Sequence, residues 1–441
     1  MEYLMRNLKQ IRKVLLVLFA VLILLLTGCS TIASLIPGGS NSQVLVSELP
    51  RGDVSGITGD DLNQLTAGNR TFALDLYHQL ETMDGNLFYS PYSISSALAM
   101  TYAGAEGKTA EEMAAVFHFL MEEDRLHPAF NALDQYLEGL AKQEVSDDMG
   151  EVFQLNITNA IWGQKDFHFE SDFLDTLAAN YGAGLRLLDY IQAPEESRVT
   201  INDWVSDQTE ERIQDLIPQG AINSDTRLVL SNAIYFKATW LESFEESLTE
   251  DKVFHGLDGE EFMTPMMSLG SDASFPYYQR EGFQAVDLPY LGGQVSMLVI
   301  VPDEGKFTDF EVNLNSEILD EIIGNLAYQP MYLNFPKFEF ETEISLATIL
   351  AKMGMPSAFN DGADFSGMTG NKDLFISDVF HKAFVSVDEE GTEAAAATAV
   401  MMSLTSAPEN PLHLEVDRPF LFLIRDIQTN SILFMGRVVE P

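Results

Sequence analysis

The chain has 441 residues, of which 46% are hydrophobic and 10% aromatic, and these proportions predict a folded protein with a sizeable core. Aspartate and glutamate number 67 against 25 lysines and arginines, giving a net charge of −42 at pH 7. This balance disfavours a nucleic-acid partner or an anionic lipid surface, because both are bound through basic patches. The acidity indicates either a salt-rich habitat or simply an acidic extracellular protein.

The N-terminus has the form of a secretory signal. A basic segment at 1–13 precedes an unbroken apolar run at 14–26, which is too short to span a bilayer as a helix, since that takes about 20 residues. The run ends in LTGC, which resembles a prokaryotic lipobox, and Cys29 is the only cysteine. We therefore predict a lipoprotein signal peptide at 1–28 and lipidation of Cys29. The alternative is an ordinary signal peptide with an incidental cysteine.

The segment after the signal is predicted to be a lipidated N-terminus and flexible tether at 29–59, because it is rich in Ser, Gly, Pro, Asn and Asp and lacks periodicity. It contains an Arg-Gly-Asp tripeptide at 51–53, for which integrin-type adhesion is an alternative interpretation. No internal repeat or linker follows residue 60. One large domain at 60–441 is therefore expected.

The first half of that domain is predicted to be mainly helical and the second half rich in strands. The predicted helices are 69–81, 93–103, 108–119 (with Thr109 as its cap) and 200–217. The predicted strands are 228–236, 285–288, 295–301, 331–340, 379–388 and 431–439. Helices followed by strands indicate an α+β domain.

Known catalytic patterns are absent from the sequence. It contains no Gly-x-Ser-x-Gly, Ser-x-x-Lys or His-Glu-x-x-His motif, and its cysteine is assigned to the N-terminus. The segment 104–109 resembles half of a phosphate-binding loop, but Tyr102 stands where that loop needs its first glycine. We therefore predict a joint between two helices there, and no enzyme activity, catalytic residue, metal or cofactor.

The segment 388–406 carries two conflicting signals. Its alanines favour a helix, because alanine is the strongest helix former. An apolar strand at 384–387 runs directly into it, however, and the segment has a period of two, which is typical of a strand. One set of alternate residues, from Thr392 to Leu404, could face a core. Much of the other set is alanine, small enough to slip between two existing strands.

The same segment contains EEGTEAAAAT at 389–398, which closely resembles the hinge of inhibitory serpins. Further segments resemble that family in order along the chain: NLFYSPYSI at 86–94, SNAIYFKATW at 231–240, HKAF at 381–384, and the pair DRPFLFLIRD at 417–426 and LFMGRV at 433–438. The resemblance covers roughly 60–441 without large gaps.

The resemblance implies a single α+β domain with three β-sheets, about eight or nine helices and an exposed reactive-centre loop at about 389–415. In such proteins a protease cleaves the loop and forms an acyl-enzyme, and the freed loop then inserts into the main sheet and distorts the enzyme. The implied hinge is Glu390, Gly391, Thr392, Glu393, Ala394, Ala395, Ala396, Ala397 and Thr398. The implied shutter and breach, where the sheet opens, are Ser90, Ser93, Asn232, His381 and Trp240.

The resemblance also places the scissile bond, by counting from Gly391. The implied bond joins Thr405 and Ser406, with Leu404 and Met402 as alternative positions. Counting back from the C-terminal strands gives a loop about three residues longer than is typical, which would move the bond toward Pro408. Cleavage after proline is disfavoured, so Thr405 is preferred.

The loop sequence also predicts a target class. No cation lies between Glu393 and Arg418 to fill a trypsin-type pocket, so elastase-like or subtilisin-like serine proteases are expected, or chymotrypsin-like ones if the bond lies earlier. The alternatives are an inhibitor of papain-like cysteine proteases and a non-inhibitory serpin that serves as a surface binding module. Small residues at 394–397 favour inhibition. We therefore predict a secreted, monomeric protease inhibitor, lipid-anchored outside the cytoplasm to the membrane of a prokaryote.

Overall fold

The structure is a computed structural model that describes residues 43–142, 153–257, 259–270, 273–392 and 411–441. Within these ranges every helix is too short or too polar to span a bilayer. The predicted signal peptide and lipidation site lie outside them, as does much of the predicted reactive-centre loop.

Ten α-helices lie in the described residues, one more than the upper number predicted, and most fall in the first half of the chain. They are α1 (Gly59–Leu80), α2 (Pro91–Tyr102), α3 (Gly107–Phe117), α4 (Glu123–Ala141), α5 (Ser171–Tyr181), α6 (Pro194–Gln208), α7 (Phe307–Asn313), α8 (Ser316–Asn325), α9 (Ala347–Met353) and α10 (Ser366–Thr369). The described residues also include two 3-10 helices, at Glu246–Leu248 and Pro356–Phe359.

Seventeen strands lie in the described residues and come from both halves of the chain. They are β1 (Gln43–Leu45), β2 (Leu87–Tyr89), β3 (Phe153–Gln164), β4 (Leu185–Leu188), β5 (Leu228–Thr239), β6 (Glu250–His255), β7 (Glu261–Leu269), β8 (Ser274–Arg280), β9 (Phe283–Pro289), β10 (Val295–Pro302), β11 (Ala327–Pro336), β12 (Phe338–Ser345), β13 (Ile376–Val387), β14 (Gly391–Thr392), β15 (Leu412–Glu415), β16 (Phe420–Asp426) and β17 (Ile432–Val438).

These strands form an α+β domain with three sheets, as predicted. The main sheet has the order β1-β4-β3-β5-β14-β13-β12. A second sheet runs β2-β17-β16-β10-β9-β8-β11, and a third joins β6, β7, β11 and β15, so that β11 belongs to both. The strands β10, β16 and β17 are buried along their whole length, which explains why their sequences are apolar on both faces.

Helix boundaries differ from the predictions where local capping or backbone geometry decides them. α1 begins ten residues earlier than predicted, because Thr58 and Asp61 form a reciprocal capping box. Thr109 does not cap α3, since its buried hydroxyl instead accepts a hydrogen bond from the backbone N–H of Asp364 (2.9 Å). α6 ends at Gln208, shortly before Glu210, whose positive φ of 52° a right-handed helix excludes.

The N-terminal strap, residues 43–57, is fixed against the domain, so the predicted flexible tether does not extend this far. Its first three residues are the edge strand β1 of the main sheet. Arg51 then donates to Asn131 (2.7 Å) and pairs with Asp134 and Glu138 on α4. The backbone N–H of Gly52 donates to Ala179 of α5 (2.7 Å).

The Arg-Gly-Asp tripeptide therefore has a structural role. The guanidinium of Arg51 is held by two carboxylates of α4, and its side chain is only 26% exposed. An external carboxylate could bind it only if these ion pairs broke. The contacts argue against the adhesion interpretation.

Candidate functional site

The site lies in the main sheet at the seam between β5 and β13, which we define as the line where these two strands meet. Over Leu228–Ile234 and Ile376–Ala383 the two strands pair directly and in parallel. Above Ala383 they separate, and β14 occupies the space between them, antiparallel to both. In this strand Gly391 lies opposite Thr239. We call the end of the seam at Thr239 its upper end and the end at Leu228 its lower end.

A tight turn leads the chain from β13 into β14. The carboxylate Oδ1 of Asp388 accepts hydrogen bonds from the backbone N–H groups of Glu390 (2.9 Å) and Gly391 (3.1 Å). Trp240 holds the turn from outside, because its backbone N–H donates to the carbonyl of Glu390 (2.9 Å) and its indole N–H donates to the carbonyl of Asp388 (3.0 Å). The predicted breach residue Trp240 and the predicted hinge residue Glu390 are therefore in direct contact.

The two residues of β14 fit their places closely. A Cβ on Gly391 would lie 2.0 Å from the carbonyl oxygen of Ala238, so only glycine can occupy this position as the structure has it. Thr392 is 1% exposed, and its hydroxyl lies 2.7 Å from the hydroxyl of Tyr290. Tyr290 in turn stacks on Trp240 with ring centroids 4.6 Å apart.

An ion pair with a buried carboxylate lies above this region, next to the turn. The carboxylate of Glu389 accepts hydrogen bonds from the ammonium group of Lys337 and the hydroxyl of Thr249, each at 2.6 Å, and Glu389 is only 5% exposed. Burial raises the pKa of Glu389, but these two donors outweigh it and leave the pKa below its usual value. Glu389 is therefore held as a charged anchor just before the turn, and neither Lys337 nor Thr249 was predicted.

Below β14, a row of polar side chains crosses the seam. Asn159 of β3, Asn232 of β5 and His381 of β13 lie directly opposite one another on neighbouring strands. The amide nitrogen of Asn232 donates to Ser93 (2.7 Å) and to Asn159, and the ring of His381 bonds to the amide oxygen of Asn232 and to the backbone N–H of Ser90 (3.2 Å). All four predicted shutter residues meet here, and Asn159 is an unpredicted fifth member.

Hydrogen bonding settles the protonation of His381. Its Nε2 faces the N–H donor of Ser90 and must accept, so Nδ1 carries the proton and donates to the amide oxygen of Asn232. Burial lowers the pKa of His381 to about 3, so the ring is neutral at neutral pH. A second proton would leave Ser90 N–H facing another donor.

The remaining predicted site residues lie outside the described residues. They are Cys29, the hinge residues Glu393, Ala394, Ala395, Ala396, Ala397 and Thr398, and the cleavage candidates Met402, Leu404, Thr405 and Ser406. Within the described part of the chain, no group of three or more His, Cys, Asp or Glu residues is placed to hold a metal ion.

Comparison with known proteins agrees with this architecture. The family model for Serpin (serine protease inhibitor) matches residues 67–441. The chain belongs to the serpin family. An uncharacterised serpin-like protein of Thermococcus kodakarensis is 39% identical over 373 residues, covering 84% of each chain. The leukocyte elastase inhibitor of Xenopus laevis is 38% identical over 86% of this chain and 100% of its own.

A solved serpin structure has the same fold. The thermophilic serpin tengpin, in its native state, matches with a TM-score of 0.79 and 27% identity, over 91% of this chain and 100% of its own. The helices and three sheets described above are thus those of a serpin. The seam in the main sheet is the place where the family resemblance put the breach and shutter.

The clash at Gly391 predicts that Gly391→Ala expels β14 from the sheet of this serpin. Deuterium uptake in a peptide covering 388–392 should then be faster by roughly tenfold or more, because the β14 pairing is lost. A peptide covering 228–234 should be unchanged. Gly139→Ala is the matched control, since a Cβ at that helical position meets nothing within 4 Å. Unchanged exchange at 388–392 would show that the close approach of Gly391 to the Ala238 carbonyl does not decide whether β14 stays in the sheet.

The buried neutral His381 predicts a pH-dependent stability. In the unfolded chain its pKa is about 6.5, so the unfolded state binds more protons below that pH and stability falls as the pH drops toward 3. At pH 5 the loss should be about 2 kcal/mol relative to neutral pH. His381→Gln should lack this loss, because its amide can still accept from Ser90 and donate to Asn232.

Urea unfolding of both proteins at pH 7.5 and 5.0 measures the difference. Burial also lowers the pKa of His127, to about 4, but that histidine is present in both proteins and its effect cancels. An equal loss of stability in wild type and His381→Gln would show that His381 is not the titrating group.

Proposed function

We propose that this serpin is a suicide-substrate inhibitor of extracellular serine proteases. The observation that carries the proposal is the seam, because β14 already pairs with β5 and β13 at the upper end while the strands below it still pair with each other. A strand that continued downward from Thr392 would lie in the direction that β14 has begun. The sheet is therefore built to accept more of the loop.

The chemistry belongs to the protease, and the serpin supplies the mechanical trap. The protease serine attacks the carbonyl of Thr405, the bond to Ser406 breaks, and the amine of Ser406 leaves with a proton from the protease. Thr405 remains as an ester on the enzyme. Insertion of the cleaved loop replaces a parallel seam by two antiparallel pairings and moves the ester-linked protease away from the upper end. Deacylation fails if insertion distorts the active site first.

Two features support inhibition over a role as a surface binding module. The residues Ala394–Ala397 are small, so an inserting strand would meet little steric resistance from them. The leukocyte elastase inhibitors among its relatives carry inhibition in their names, and an elastase-like target fits the small Thr405. A papain-like cysteine protease could be trapped in the same way as a thioester.

The location of the protein is proposed from its N-terminus. The basic start, the apolar run and Cys29 support export and lipid anchoring on the outer side of a prokaryotic membrane. Stable anchoring requires more than one acyl chain, because a single chain binds membranes only marginally.

The proposed function predicts that Thr392→Arg turns the inhibitor into a substrate. Thr392 is buried against Tyr290, and an arginine in its place would bury a charge without a partner. Insertion should slow, so that deacylation wins and the stoichiometry of inhibition rises by roughly tenfold or more. Thr392→Ser is the control, because it keeps the hydroxyl and the small volume. Wild-type trapping by Thr392→Arg would refute the insertion mechanism.

The same reaction gives the cleavage site. Wild-type protein is mixed with subtilisin-like, elastase-like and chymotrypsin-like proteases, and denaturant-stable complexes are isolated. The released C-terminal fragment should begin at Ser406 by mass. A fragment beginning at Thr405 or Ser403 would move the bond to the alternative positions, and the absence of any stable complex would refute the inhibitor proposal.

The proposed anchor predicts that Cys29→Ala moves the protein from the membrane fraction to the medium, because no acyl chain can then be attached. Cys29→Ser should behave in the same way. Fractionation of cells expressing the wild type and each variant measures the effect. If the wild type and the variants fractionate alike, Cys29 is not the anchor.

A further inference from the structure

We infer that the lipid anchor keeps the membrane close to the lower end of the seam, which is also the end of the molecule to which the inserting loop carries the protease. The length of the N-terminal tether therefore limits trapping. The inference rests on the proposed function and on the proposed lipidation of Cys29. It follows from where the strap joins the main sheet.

The strap joins at the lower end of the seam. In the main sheet Gln43 lies opposite Leu187, Leu187 lies opposite Gly163, and Gly163 lies opposite Leu228. These four residues form one row across the sheet, and Leu228 is the residue at which the seam ends. At about 4.8 Å between neighbouring strands, Gln43 is about 19 Å from the path of a strand inserted between β5 and β13.

The register of β14 gives the end point of insertion. Thr392 lies opposite Ala238 and runs antiparallel to β5, so a strand that kept this register would bring Met402 opposite Leu228. Thr405 would then lie three residues beyond the lower end of β5. An acylated protease would therefore arrive at the same pole of the molecule as Gln43.

The strap cannot easily swing away from this pole. Beyond β1, Ser47 is hydrogen-bonded to Asp175, and Arg51 is held by two carboxylates of α4. The strap therefore runs up the edge of the domain from Gln43, and the length available to the tether is the part of the chain before Gln43.

The fully extended length of this tether is close to the diameter of a protease, and its relaxed span is much shorter. Gln43 is the fourteenth residue after Cys29, so a relaxed tether spans about 20 Å and a fully extended one about 48 Å. A protease domain of about 230 residues has a radius of gyration of about 17 Å and hence a diameter of about 45 Å. Only a nearly extended tether leaves room for the protease between the lower pole and the membrane.

The test uses the mature chain from Cys29, coupled through this only cysteine to a maleimide lipid in phosphatidylcholine vesicles. Three tethers are compared: the natural one, one lacking residues 34–40, and one in which residues 34–40 are replaced by seven Gly and Ser residues. The shortened tether extends to only about 24 Å. The stoichiometry of inhibition of subtilisin is measured for each protein on vesicles and, uncoupled, in solution.

We expect the shortened tether to raise the stoichiometry at least about twofold on vesicles but not in solution, because the obstructed protease escapes by deacylation. The Gly/Ser control, which keeps the length, should show a smaller vesicle effect, equal to that of the natural tether. Equal vesicle effects for the shortened and control proteins would overturn the inference. If no protein traps subtilisin in solution, the proposed function itself fails, which the solution arm reveals separately.

Discussion

A hydrogen bond between the two strands of the seam, from Nδ1 of His381 to the amide oxygen of Asn232, opposes the opening of the main sheet. These residues lie opposite each other on β13 and β5, which pair in parallel, the slightly less stable arrangement per residue. Burial keeps His381 neutral, so the bond can be broken without exposing a buried charge. Asn232 also bonds to Ser93 and Asn159, and these partners stay on the β3 and α2 side of the seam. Parting the seam would therefore break the bond between His381 and Asn232 but leave the bonds of Asn232 to Ser93 and Asn159 in place.

The upper end of the seam shows how β5 and β13 can be kept apart by an inserted strand. Two residues of β14 are inserted, and each is matched to its place, Gly391 by the close approach of the Ala238 carbonyl and Thr392 by Tyr290. The ion pair of Glu389 with Lys337 fixes the chain before the turn. Removing the ammonium group of Lys337 would leave the buried carboxylate of Glu389 without its counter-charge, which is costly. The partly open upper end of the seam is thus stabilised by its own contacts. The strands β5 and β13, which pair directly below it, oppose further opening.

The fold could be predicted from sequence where apolar periodicity or motif order was strong. The interior of α1 and the strands β10 and β17 were found in this way. The sequence 331–340 was predicted as one strand but forms two, separated at Lys337, because the chain there leaves the third sheet, where β11 pairs with β7, and enters the main sheet, where β12 pairs with β13. β3 was missed since polar residues such as Asn156 interrupt its apolar pattern. Within it, Asn159 begins NAIW much as Asn232 begins NAIY, and this internal similarity could have identified the fifth shutter residue.

Several of the few cations of this acidic chain join segments that are distant in sequence. Arg425 pairs with Asp287 and Arg437 with Glu311, and all four side chains are almost fully buried. Arg51 likewise fastens the strap to α4, and Lys337 fastens the turn before β14. With 25 cations against 67 acids, many carboxylates must remain on the surface without a basic partner. Salt screens repulsion between exposed charges much more than it weakens buried pairs. A salt-rich medium would therefore weaken the repulsion between surface carboxylates more than it weakens the buried ion pairs. This difference is the physical basis for the salt-adaptation interpretation of the composition.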